Sequence, residues 1–139
     1  MVNILVSACL LGLNCKYSGG NNINERIVEL KNRYNLIPVC PEQLGGLATP
    51  RNPAEICKGL ILDSQGKDVT EYFKKGAMET LALARLFNCP IAILKSKSPS
   101  CGINRVYDGT FEGRLISGMG MTARLLKESG ITVMCDEDI

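Results

Sequence analysis

Short apolar runs that recur between helical patterns constrain this chain most. "NILVSA" (3–8), "LIPVC" (36–40), "PIAILK" (90–95) and "ITVM" (131–134) carry almost no polar alternation. Runs of this kind read as strands buried on both faces. Between them lie stretches with a helical period. "NINERIVELKNRY" (22–34) sets Ile23, Ile27, Leu30 and Tyr34 on one face behind a capping-type Asn. "DVTEYFKKGAMETLALARLFN" (68–88) spaces Phe73, Ala77, Leu81 and Ala84 for a buried stripe, and "TARLLKESG" (122–130) reads as the last helix. The alternation predicts an α/β protein: one three-layer, Rossmann-like domain over residues 1–139, with a mostly parallel sheet between helices. At 139 residues and 45% apolar, the chain suffices for one such core.

Other segments refine this picture. Pro38 predicts an edge position or irregular pairing for the second strand. "CKGLILD" (57–63) reads as one further strand, closed by a turn at "SQGKD". "RVYDGTFEG" (105–113) reads as a hairpin around Asp108-Gly109, to which no chemistry is assigned. "SGMGM" (117–121) weakly resembles a phosphate-cradling turn, without the P-loop spacing or its lysine. "PEQLGGLATPRNPAEI" (41–56) is too long and too apolar to be a mere linker.

Ligands bind beyond the carboxyl ends of parallel strands, and this rule sorts the seven cysteines. Cys9 and Cys40 end the first two strands, and Cys101 follows "PIAILK" by a few residues. These three meet at one edge of the expected sheet. Cys57, starting a strand, and Cys89, preceding one, fall at the opposite edge; Cys15 lies in the first loop and Cys135 at the fraying C-terminus. An odd, irregular set without an export signal argues against a disulfide framework. With no histidine and no CxxC pair, a zinc finger or ribbon is disfavoured too.

The loops "SACLLG", "PVCPEQLGG" and "SPSCG" each set glycine near the cysteine, and the last two add proline. Iron–sulfur clusters need thiolates on stiff loops of this type; the competing reading is three ordinary buried thiols. A cubane held by three thiolates leaves one iron open for substrate or water. Glu42, two residues after Cys40, is a candidate general base if partial burial and the anionic site lift its pKa, or else a solvated loop carboxylate. Ser98 and Ser100 offer hydroxyls to a substrate or a cluster sulfur, or simply favour a turn. Arg51 in "TPRNP" is a candidate for reading a substrate carbonyl or for fixing a loop by pairing with a carboxylate.

Net charge is +2 with both signs interspersed. That leaves no footprint for a nucleic-acid duplex or an acidic membrane. No apolar run reaches membrane-spanning length, and the first residues lack a basic n-region. A cytoplasmic protein is expected.

"ILVSACLLG", "PVCPEQLGG", "TPRNPAEI", "DVTEYFKKGA", "AILKSKSPSCG" and "YDGTFEG", in this order, resemble the bacterial TudS-like thiouracil desulfidase family over residues 4–133. The resemblance implies a [4Fe-4S] cluster held by Cys9, Cys40 and Cys101, with one iron not ligated by protein. It implies catalytic roles for Glu42 and Ser98, and a small thiolated nucleobase as substrate. The reaction it implies is hydrolytic and non-redox, releasing hydrogen sulfide and uracil. On that reading Cys101 is a ligand and not a nucleophile, so no histidine is required. Two other classes compete: a non-catalytic iron–sulfur binding or sensing module, which has no need of Glu42 and Ser98, and a sulfurtransferase carrying persulfide on Cys101.

Overall fold

The computed structural model describes residues 1–139. Four strands, β1 (Asn3–Ser7), β2 (Asn35–Val39), β5 (Ile91–Leu94) and β8 (Thr132–Cys135), form one parallel sheet in the order β2-β1-β5-β8. Pro38 lies in β2, an edge strand, where its missing N–H leaves no ladder position empty. Alternate residues of the inner strands feed two cores. Leu5, Ala92 and Leu94 pack with Leu81 and Ala84 of helix α3 (Thr70–Leu86) and with Ala123 and Leu126 of α4 (Met121–Glu128). Ile4, Val6 and Ile93 pack on the other face with Ile27 of the one-turn helix α1 (Glu25–Val28). The three-layer α/β reading therefore holds, and Phe73, Ala77, Leu81 and Ala84 are all buried.

Three local readings change. The stretch 22–34 is one α-turn continued by a 3₁₀ turn, Glu29–Asn32. The Asn24 side chain caps it by accepting from the N–H groups of Arg26 and Ile27; Ile23 precedes the cap and is exposed. "CKGLILD" is not one strand. It ends β3 (Ala54–Cys57), reverses at Lys58-Gly59, and continues as β4 (Leu60–Asp63) in a separate antiparallel pair. Both turn residues have positive φ, 51° and 81°, as a tight two-residue hairpin requires. Cys57 thus ends a strand outside the main sheet. The later hairpin pairs β6 (Arg105–Tyr107) with β7 (Leu115–Ser117), so its loop spans 108–114 and is longer than an Asp-Gly turn.

The carboxyl edge is braced by close backbone contacts. Helix α2 (Pro41–Leu44) lies against α3 where Gly45 faces the Tyr72 carbonyl and Gly76 faces the Pro41 carbonyl. A Cβ on either glycine would run into that oxygen. Gly76→Ala therefore tests the contact by its sign. In a free helix interior the change is favourable by about 1 kcal/mol. Here overpacking is expected to lower stability by about 1–3 kcal/mol, read by thermal unfolding, and a stabilised variant would show that α2 does not rest on this contact.

Candidate functional site

Ser7, Val39 and Leu94 end their strands at the same edge, since β1 pairs in register with both neighbours. The residues that follow carry the chemistry. Cys9 lies in a 3₁₀ turn, Ala8–Leu11. Cys40 is the N-cap of α2, which places Glu42 in the first turn of that helix. Cys101 lies in the loop after β5, whose shape is set by Ser98: its Oγ accepts the N–H groups of Ser100 and Cys101, both at 3.0 Å. The Ser98 carbonyl accepts the Gly102 N–H at 2.8 Å.

That loop is fastened to the start of α4. The N–H of Met121 reaches the Pro99 carbonyl, and those of Thr122 and Ala123 reach the Ser100 carbonyl. Gly120 is so close to Ser100 that no Cβ fits there. The "SGMGM" turn is thus no phosphate cradle, because the donors it would offer are already bonded to protein carbonyls.

Cys9, Cys40, Cys101, Glu42, Arg51 and Ser98 all line one cavity of about 580 Å³. Ser100 is not brought there. Its hydroxyl is buried against Thr122 Oγ1 at 2.7 Å and ties the loop to α4, which leaves it no free face for a substrate. Arg51 borders the cavity, but its terminal nitrogens are engaged with the Cys15 carbonyl (2.9 Å), Thr49 Oγ1 (2.9 Å), the Ala48 carbonyl (3.3 Å) and Glu42 Oε2 (3.2 Å). Only its Nε lacks a partner, and that atom is buried. Arg51 is a clamp between the first loop and Glu42.

The structure also brings in residues that the sequence reading set aside. Cys15 is buried in the same cavity; its carbonyl accepts from Arg51 and lies 3.7 Å from Cys40 Sγ. Nothing local marks this, because the loop is folded back by Asn22 N–H to Cys9 O and Asn24 N–H to Leu10 O. Ser7 is buried with its hydroxyl oxygen accepting the Lys95 N–H at 3.0 Å and lying 3.5 Å from Cys101 Sγ. Cys135 is no fraying residue: it ends β8, paired with Leu94, but borders a separate small pocket with Ser96 and Lys97. Cys89 packs in the α3/α4 core ahead of β5.

Cys9, Cys15 and Cys101 are held as reluctant acids. Burial raises the pKa of Cys9, opposed chiefly by a hydrogen bond with Asn22. Burial pushes Cys101 up to about 12, with the Ser7 contact opposing it. Burial also pushes Cys15 up to about 12, reinforced by Cys40 and Cys9. Glu42 is raised above the usual carboxylate range by burial, and Arg51 opposes that shift.

A family model described as 2-thiouracil desulfurase matches residues 4–138, and the chain belongs to that family. It is similar to the YbbK protein of Bacillus subtilis (strain 168), with 43% identity over 98% of this chain and 97% of that one. Among solved structures it is similar to the [4Fe-4S]-dependent thiouracil desulfidase TudS, at 38% identity and a TM-score of 0.92, covering 100% of this chain and 93% of that chain. No helix is long and apolar enough to cross a membrane.

Arg51→Met removes the one cation that opposes the Glu42 shift. In ¹³C NMR titration of cluster-free protein, Glu42 is expected to titrate above the ordinary glutamate value of about 4.3, and higher still in the variant. A fall in the Glu42 pKa in Arg51→Met would show that this ion pair does not govern the carboxyl.

Proposed function

We propose that this protein is a [4Fe-4S]-dependent desulfidase that hydrolyses the thiocarbonyl of a thiouracil-type base, giving uracil and hydrogen sulfide in a reducing compartment such as the cytoplasm. The observation that carries the reading is the meeting of Cys9, Cys40 and Cys101, from three separate strand ends, in one cavity with Glu42 and Ser98. Membership of the desulfurase family and the likeness to TudS support it.

The residues fit the cofactor. No three Cys, Asp or Glu side chains converge closely enough to hold one metal ion. A mononuclear site needs all its thiolates within about 2.3 Å of a single centre. Thiols spaced around a cavity of this size suit a cluster of several irons, and thiolate donors are what iron–sulfur clusters take. Cys9, Cys40 and Cys101 would hold it, and a cluster iron left without a protein ligand supplies a Lewis acid for the thiocarbonyl sulfur.

The protein's own groups do the rest. Glu42, with its pKa lifted by burial, takes a proton from a water beside it, and that water's oxygen bonds to the thiocarbonyl carbon. Arg51 fixes the carboxylate through the 3.2 Å contact. The Ser98 oxygen is already accepting two N–H groups, so its hydroxyl hydrogen is free to donate to the substrate. The C–S bond breaks, its sulfur leaves as hydrogen sulfide with two protons from the water, and no electrons are exchanged with an outside donor.

Two outcomes follow for variants prepared anaerobically. Glu42→Gln is expected to keep its iron and sulfide while turnover of thiouracil falls by roughly 10²–10⁴, the usual contribution of a general base. Ser98→Ala is expected to lose less, since water can partly replace a donor. Near-normal sulfide release from iron-loaded Glu42→Gln would remove Glu42 from the mechanism. For the ligands, Cys9→Ser, Cys40→Ser and Cys101→Ser are each expected to lose the cluster by iron analysis, whereas Cys57→Ser and Cys89→Ser retain it. Equal loss in Cys15→Ser would place Cys15 among the ligands and overturn the three-thiolate assignment.

A further inference from the structure

Four non-glycine residues hold a left-handed backbone: Lys58, Asn88, Lys97 and Phe111. Lys58 serves a hairpin turn, asparagine visits this region readily, and Lys97 is held by its bridge to Val106 of β6. Phe111, at φ 59°, is different, because a bulky residue there is an outlier that its surroundings must enforce. The enforcing group is Glu55 of β3. This carboxylate is buried, and its Oε1 accepts the N–H groups of Gly109 at 3.0 Å and of Phe111 at 3.1 Å. Gly109 itself sits so near β3 that a Cβ would lie 2.8 Å from the Ile56 carbonyl. Loop 108–114 is therefore held onto β3 by a buried charge and a glycine contact.

The Phe111 ring joins none of the buried core clusters. It remains 39% exposed and lines the same cavity as Glu42, Ser98 and the cysteines. Strain that presents a partly exposed apolar ring to a cavity points to what the cavity binds. Tyr107, the last residue of β6, lines the cavity as well.

We propose that Phe111 is the platform on which the heterocyclic ring of the substrate stacks, with Glu55 as the positioning residue that sets its angle. The inference rests on the reading of this cavity as a site for a thiolated base. Stacking suits that ligand because every pyrimidine has a π-face whatever its exocyclic atoms. It leaves the thiocarbonyl edge of the ring free for Glu42 and Ser98.

The test is calorimetric titration with 2-thiouracil of anaerobic, cluster-loaded protein carrying Glu42→Gln, which turns the base over too slowly to consume it, alongside thermal unfolding, with Phe111 kept or changed by Phe111→Gly, Phe111→Ala or Phe111→Tyr. Loss of one base–aromatic stack is expected to raise Kd about 10- to 100-fold in the Gly and Ala variants. Phe111→Tyr is expected to stay close to the protein that keeps Phe111. Phe111→Gly should be no less stable than that protein, because glycine adopts positive φ without strain. In turnover with Glu42 intact, the rise in KM should exceed any fall in kcat. An unchanged Kd in Phe111→Gly overturns the proposal. So does a weakened Kd accompanied by a clear fall in Tm for that variant, since the ring would then be packing and not platform. Wild type that binds thiouracil through Phe111 but releases no sulfide would instead remove the desulfidase reading and leave the stacking in place.

Discussion

The parallel pairing of β1 with both β2 and β5 is the constraint on which the site depends. Its register sets Ser7 beside Val39 and Val6 beside Ile93, so three strands finish together at one edge. Cysteines that are 31 and 61 positions apart in the chain (9 to 40, and 40 to 101) thereby reach one cavity. A slip of one residue would turn each side chain to the other face. The buried runs of β1 and β5 oppose such slips by feeding opposite cores with alternate residues.

From that edge outward, backbone contacts do the positioning. Gly45 and Gly76 let α2 lie on α3, which fixes Cys40 and Glu42 together. Gly120 and the first N–H groups of α4 hold the Cys101 loop. Arg51 joins the first loop to Glu42. Each catalytic candidate thus hangs on a rigid element, which is what a preorganised site requires. Burial also raises the pKa of Cys9, Cys101 and Glu42.

Much of this was legible in the chain, and the rest has identifiable physical reasons for being hidden. The apolar runs gave the four parallel strands, because strands covered on both faces lack polar alternation. The hairpin at Lys58-Gly59 escaped because its turn lacks the usual Asn-Gly or Asp-Gly pair. Cys15 escaped because its place depends on backbone bonds from Asn22 and Asn24 back to the Cys9 turn, which leave no periodic trace. Ser100 looked equivalent to Ser98, yet the tight turn sends one hydroxyl to Thr122 and keeps the other at the cavity. "YDGTF" looked like a bare turn; only the buried Glu55 beneath it shows that the loop holds an aromatic ring in a left-handed conformation.

Water attack at a thiocarbonyl, promoted by Glu42 beside thiolate-held iron, is the reading that joins these features. The most direct measurement is turnover of 2-thiouracil by anaerobic, iron-loaded protein in H₂¹⁸O, with sulfide and uracil quantified together. The expected result is one sulfide per uracil and one ¹⁸O in each uracil formed. Unlabelled uracil, or no sulfide from protein with a full complement of iron, would contradict it.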